Sequence, residues 1–258
     1  MIDGGDFDVR LSEHSRIWRK KPTLRAVYAD FHKRLEAACP PGRILDIGGG
    51  SAHFRSYRHS VISLDILPFP GIDVVADAHN MPFEDCSFSG IVMLDVFHHL
   101  QKPLEFLREA SRVLKPGGRL AMIEPGMSLV ARQFYRHFHQ EPVIMSADPF
   151  SEAEQTGDDP FDSNQAIPTL VFGTQQARSK IEAKVPSLKI ISNEWMSMAA
   201  YPLSGGFKSW CLWPSSLVGM TLKVESVLLP FLGCLLGFRL MTVLEKSSPV
   251  SNSQAIDF

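Results

Sequence analysis

The sequence predicts an α/β fold built on a doubly wound, mostly parallel sheet. Its last strand is antiparallel, helices lie on both faces, and cover insertions lie over one edge. Three observations carry the prediction. Short apolar runs alternate with helical or loop segments through the first half of the chain, which implies βαβ units with right-handed crossovers. Four of those runs end on a carboxylate: Asp65, Asp77, Asp95 and Glu124. The first run, Arg43–Ile47, feeds directly into Gly48-Gly49-Gly50. Buried parallel strands read as continuous apolar runs, and ligands in such sheets sit outside the carboxyl ends of the strands. The aligned acids therefore mark one sheet edge as the functional edge.

In chain order, residues 12–38 show helical spacing of Trp18, Leu24, Val27, Tyr28, Phe31 and Leu35, with a break expected at Pro22. After the glycine turn a short helix fits 52–58. Strands follow at 60–65, 72–76 and 90–94. An amphipathic helix over 104–114 is stopped by Lys115-Pro116-Gly117-Gly118, and the fifth strand is 119–124. Beyond Pro125 helices are expected at 128–137 and 164–183, with strands at 188–193 and 238–245. The resulting division is one domain over 1–246: a helical segment (1–40), a ligand-binding core (43–124), two covers over the sheet edge (126–164 and 196–237), and a tail (247–258).

Composition narrows the function. The 258 residues are 45% hydrophobic, with a formal net charge of −2. That balance lacks the basic excess a nucleic-acid partner favours. Four scattered cysteines (Cys39, Cys86, Cys211, Cys234) form no metal-binding spacing and suit a reducing, cytoplasmic setting. The acidic residues 1–10 lack an apolar core, so no signal peptide is expected. The apolar stretch 217–238 contains Lys223, Glu225 and Pro230, and its uncharged part, 226–238, falls short of the ~20 residues a bilayer requires. A buried or lid helix is expected there in preference to a membrane-surface helix.

The glycine turn lacks the third glycine of a dinucleotide fingerprint, because His53 stands there, and it lacks the lysine of a P-loop. What remains is D-x-G-x-G at Asp46–Gly50, with Asp65 nineteen residues after Asp46. A carboxylate there can accept from two ribose hydroxyls. A nucleoside without phosphate fits this set.

At this point the chain resembles the class I S-adenosylmethionine-dependent methyltransferases, in the small-molecule, type 11-like group. Their Rossmann-like fold matches the one predicted above. The resemblance rests on 44–52, on Asp65, on Asp77-Ala78 with Met81-Pro82-Phe83, on Leu94-Asp95-Val96-Phe97-His98-His99-Leu100, and on Arg112–Gly118. It covers roughly a third of the chain, in order, and departs from the family pattern at Ala52. It implies S-adenosyl-L-methionine as cofactor. The implied contacts are Gly48, Gly49 and Gly50 with Asp46 at the methionine part, Asp65 with Ile66 at the ribose, Asp77 with Ala78 at the adenine, and the Leu94 carbonyl near the sulfonium. Asp95 is either a further contact or a cap, and Gly49 could serve the turn alone.

A hydroxyl nucleophile also needs a proton acceptor. The candidates at the functional edge are His98, His99 and Glu124, the paired histidines being open to a purely structural reading; His137, His139 and Glu141 in the first cover either line a substrate pocket or belong to a surface loop. No metal spacing is visible. The covers carry Phe134, Phe138, Phe150, Phe161, Phe207, Trp210 and Trp213, which suit a bulky, partly apolar small-molecule acceptor or simply fill an enlarged core. The expected reaction is O- or N-methylation. The rival reading is a non-catalytic cofactor-binding regulatory or assembly protein. No nucleic-acid partner is expected.

Overall fold

The structure is a computed structural model that describes residues 8–51, 53–151 and 159–248. Ala52 and most of the expected tail lie outside the described residues. Helices α1 (Val9–Lys20) and α2 (Pro22–Ala38) precede β1 (Ile44–Ile47), α3 (His53–Tyr57), β2 (Val61–Asp65), β3 (Val74–Val75) and β4 (Phe88–Leu94). A 3₁₀ turn (Phe97–His99) leads to α4 (Pro103–Val113), β5 (Leu114–Pro125) and α5 (Leu129–Phe138). The chain closes with α6 (Ile167–Phe172), α7 (Gln175–Lys184), β6 (Leu188–Met196), α8 (Ala200–Ser204), α9 (Ser215–Leu236) and β7 (Arg239–Lys246).

The strands form one sheet in the order β3-β2-β1-β4-β5-β7-β6. Pairing is parallel from β3 to β5, and β7 runs antiparallel to both its neighbours, as the sequence predicts. Alternate residues of each strand feed two cores. Leu45, Ile47, Ile91, Met93, Leu120 and Met122 pack under α4, α6 and α7. Ile44, Val92, Ala121, Ile123 and Val243 pack under α2, α3 and α9. Burial on both faces is why these strands read as unbroken apolar runs.

Four expectations are corrected. The third strand shrinks to Val74–Val75, because the Asp73 carboxylate accepts from the Ser63 amide (2.9 Å) in place of a ladder partner. The residues Lys115–Gly118 do not simply end a helix: they bulge between the pairs Phe88–Leu114 and Gly90–Arg119. The single helix expected over 164–183 is two. The chain breaks at Gly173-Thr174, and Thr174 Oγ1 caps α7 by accepting from the Ala177 amide (3.1 Å).

The fourth correction concerns α9. It is 22 residues long, apolar enough by length and composition to cross a membrane, and only 28% of its most apolar window is buried. The buried-helix alternative is therefore corrected, and the lid alternative is left standing. Of its two charged residues, Glu225 is buried and accepts from the amides of Ala199 (2.5 Å) and Ala200 (2.7 Å), so it leaves little polarity outside.

Candidate functional site

The carboxyl ends of β1, β2 and β4 open into a cavity of about 940 Å³. Every residue assigned above to the cofactor lines it: Asp46, Gly48, Gly49, Gly50, Asp65, Ile66, Asp77, Ala78, Leu94 and Asp95. His98 and His99 line it too, whereas Glu124 lies behind them, buried. From the covers come His139, Glu141, Phe134, Phe138, Phe161, Phe207 and Trp210. Phe150 and Trp213 instead pack against the two cores. His137 is exposed and does not line the cavity.

The glycines are demanded by the protein's own packing. Gly48 has φ +69°, and a Cβ there would stand 2.2 Å from a methyl of Val96. A Cβ on Gly49 would meet Ser63 Oγ at 2.1 Å. The amides of Gly48 and Gly49 both donate to the Leu64 carbonyl (2.8 and 3.2 Å), which presses the turn onto the end of β2. The Gly50 amide donates to Asp65 Oδ2 (2.8 Å), and the Leu67 amide donates to Oδ1 (2.9 Å). Each Asp65 oxygen so engaged keeps a further lone pair for a hydroxyl. Burial pushes the Asp65 carboxyl up from its ordinary value. Asp46 accepts from Ser63 Oγ (3.1 Å), and burial raises its carboxyl to about 7.

Asp77 is more committed than the sequence suggests. Its Oδ1 takes the His79 amide (2.8 Å) and the His79 ring (2.6 Å). Burial opposes ionisation of Asp77, but these bonds win and hold its carboxyl below the usual range. Asp95 is bound inward rather than acting as a simple cap. It sits at φ +60°, pairs with Arg239, and accepts from the Tyr28 hydroxyl (3.0 Å).

The catalytic candidates separate by environment. His98 is buried, with Nδ1 2.7 Å from Glu124 Oε2 and Nε2 3.4 Å from Glu141 Oε2. Burial alone would favour the neutral ring, but the two carboxylates outweigh it and raise His98 to about 10. Both ring nitrogens of His98 thus face carboxylates, an arrangement that favours the charged ring over a free base. Glu124 is engaged likewise: its Oε1 accepts from the amides of Val96 (2.9 Å) and Phe97 (2.8 Å), and its Oε2 faces His98. Burial works against the Glu141 charge, but His98 holds that carboxyl well below its usual range.

His99 behaves oppositely. Burial and then the neighbouring His98 charge lower it to about 4. Its Nδ1 lies 3.2 Å from the Asp162 carbonyl. A carbonyl only accepts, so Nδ1 carries the proton and Nε2 the basic lone pair. Among the described residues, His98, His99 and Glu141 also bring ligand-type atoms within 4.8 Å of one another, although a protonated His98 has no lone pair to give a metal ion. Their separation in sequence conceals this grouping.

Other wall residues escaped sequence reasoning. Leu11 and His14 of α1 line the cavity. Arg10 ties α1 to the first cover by pairing with Asp159 (3.0 Å) and stacking 3.8 Å over Phe161. Arg239, at the foot of an apolar strand, carries no sequence signal beyond its charge.

The residues present fit S-adenosylmethionine. Two acids at the ends of β2 and after β3 can accept from ribose hydroxyls and an adenine amine, with apolar Ile66 and Ala78 beside them. His53 and Gln165 line the same cavity, and His53 Nε2 and Gln165 Oε1 are buried with no hydrogen-bond partner among the described residues, which suits a polar ligand.

Comparison with known proteins agrees. Residues 45–122 match the family described as "Methyltransferase domain". The chain is 45% identical over 71 residues to the 27-O-demethylrifamycin SV methyltransferase of Amycolatopsis mediterranei, a match covering 28% of this chain and 24% of that protein. It is 31% identical over 124 residues to the probable tRNA methyltransferase 9B of Bos taurus, covering 43% and 26%. These matches span about a quarter of each relative's length. A SAM-dependent methyltransferase from Archaeoglobus fulgidus shares the fold at a TM-score of 0.53 and 14% identity, over 86% of this chain and 94% of that one. The chain therefore carries a domain of the class I S-adenosylmethionine-dependent methyltransferase family.

Proposed function

We propose that the protein is an enzyme that transfers a methyl group from S-adenosylmethionine to an oxygen or nitrogen of a bulky, partly apolar small molecule. The observation that supports this most is the construction of the cavity. One wall is the acid-and-glycine edge of the sheet. The other is aromatic, from Phe134, Phe138, Phe207 and Trp210. A volume of about 940 Å³ holds a nucleoside-sized ligand and a second molecule beside it.

When bound, the cofactor supplies a sulfonium methyl that an in-line nucleophile can take, the electron pair of the broken bond staying on sulfur. The chain's own work is to align, to exclude water and to manage the proton. Asp65 and Asp77 hold the nucleoside end. α1 and the first cover close over it through Arg10. The Glu124–His98–Glu141 cluster carries one net negative charge, which favours a cation in the cavity. His99 lines the cavity beside this cluster as a neutral imidazole, the type of group that can take up a hydroxyl proton. Its low basicity confines it to a proton released as the new bond forms.

A small-molecule acceptor is supported by the aromatic wall, by the near-neutral charge and by the likeness to the rifamycin-directed enzyme. A cytoplasmic setting belongs to the same proposal, supported by four free cysteines. The test is transfer of a labelled methyl into cell extract, followed by separation of organic-soluble metabolites from RNA. Label in the organic fraction is expected. Label confined to RNA would overturn the acceptor class. Cofactor binding with no label in any fraction would favour a non-catalytic binding protein.

A further inference from the structure

The outward face of α9 is built for an apolar environment. Helix residues advance about 100° each. Met220, Val224, Val227, Leu228, Phe231 and Leu235 fall within one arc, and each is exposed, Phe231 to 81%. That arc lies opposite the face made by Val218, Glu225, Leu229 and Gly233, which is buried against the protein. An ordinary surface helix is polar on its outward face; this one is apolar on both, the pattern of a helix covered from two sides.

Two further observations say what covers it. First, α5 packs beside α9 and exposes Leu129 and Phe138, while Trp210 and Leu212 are exposed in the segment leading to α9. Phe138 and Trp210 also line the cavity. Exposed apolar side chains thus stand both on α9 and at the cavity mouth. Second, the charges these two helices leave outside are cations, while the acids Asp30 and Glu194 line a groove on the inward side of α9 with Glu225 and Leu229. Arg132 and Arg136 lie on α5 and Lys223 on α9, α5 has no acid, and the lone acid of α9, Glu225, is turned inward.

We propose that the α5–α9 face rests on an anionic lipid surface, and that an apolar acceptor enters the cavity from it past Phe138 and Trp210. The helix lies in the interface rather than spanning the bilayer. β6 and β7, which flank it in sequence, pair as neighbouring antiparallel strands, so both ends of α9 return to the same side. Cationic residues and aromatic rings at the border of an apolar stripe match the headgroup level of such a surface. The delivery of the acceptor rests on the methyl transfer proposed above; the lipid contact does not.

The test is flotation of the whole chain with phosphatidylcholine vesicles, with and without about 30% phosphatidylglycerol. The same runs are made on the Val227→Glu/Phe231→Glu double variant and on Arg132→Glu/Arg136→Glu. The protein is expected to float with the anionic vesicles. Binding should be about tenfold or more weaker in the first variant, and lose its preference for phosphatidylglycerol in the second. Calorimetric binding of S-adenosylmethionine should be unchanged in the first variant, since neither residue lines the cavity, which shows that the variant is folded. Failure of the wild type to float, or equal flotation of Val227→Glu/Phe231→Glu, overturns the proposal. So does a stable dimer in solution that those substitutions dissociate without any vesicle binding, because a second copy of the chain would then be the occupant. Flotation without methyl transfer would uphold the lipid contact and defeat the enzymatic reading alone.

Discussion

His98 Nδ1 lies 2.7 Å from Glu124 Oε2, with both side chains 3% exposed. A doubly engaged imidazolium between two carboxylates is the electrostatic centre of the site. It brings the end of β5, the 3₁₀ turn and the first cover into one cluster. Its removal should cost about 3–5 kcal/mol, since the Glu124 carboxylate would be left buried without a counter-ion. Urea unfolding of His98→Gln against wild type measures this. A loss under 1 kcal/mol would show that the pair is not ionised as described.

The same cluster sets a pH dependence. His98 is raised from 6.5 to about 10 in the folded protein. Its contribution to stability is therefore complete below about pH 6.5 and is lost as the pH rises through 10. Glu141 is lowered from 4.5, so its contribution holds above that value and fades as the pH falls below it. Melting temperatures of the wild type should fall between pH 7 and 10 more steeply than those of His98→Gln. Parallel curves would contradict the assignment.

Arg239 is buried, 2% exposed, pairs with Asp95 and stacks 3.8 Å over the Tyr201 ring. Replacing it with Met strands the Asp95 charge, at a cost of about 3–5 kcal/mol. Asp95→Asn in the same chain should return part of that loss, because the stranded charge is gone. A double variant no more stable than Arg239→Met would mean that packing over Tyr201, and not charge, makes Arg239 necessary.

His99 should separate turnover from binding. His99→Ala is expected to lower kcat by about tenfold to a hundredfold on a hydroxyl acceptor, with little change in KM. Unchanged kcat would remove His99 from proton transfer. His98→Gln, by contrast, should act through stability and cofactor binding.

Much of this was legible in the sequence because it is local. A strand ending on an acid, a glycine turn and a proline that starts α2 all depend on neighbours in the chain. The order of strand ends and the sheet edge followed from them. What stayed hidden depends on distant partners. Glu141 gains meaning only when the first cover folds back on His98, and Arg239 only when β7 delivers it to Asp95. α9 was misread because Lys223 and Glu225 count as two charges in sequence. Only the fold shows Glu225 facing inward to cap Ala199 and Ala200.

The cofactor edge turns on Asp65, which lines the cavity and fixes the glycine turn by accepting from Gly50 and Leu67 with its two oxygens. Isothermal titration of S-adenosylmethionine into wild type and Asp65→Ala tests it directly. The wild type should bind one equivalent, and the variant should bind about 1–3 kcal/mol more weakly, the cost of stranding polar groups. No binding by the wild type, or equal affinity in the variant, would contradict the assignment of this edge to the methyl donor.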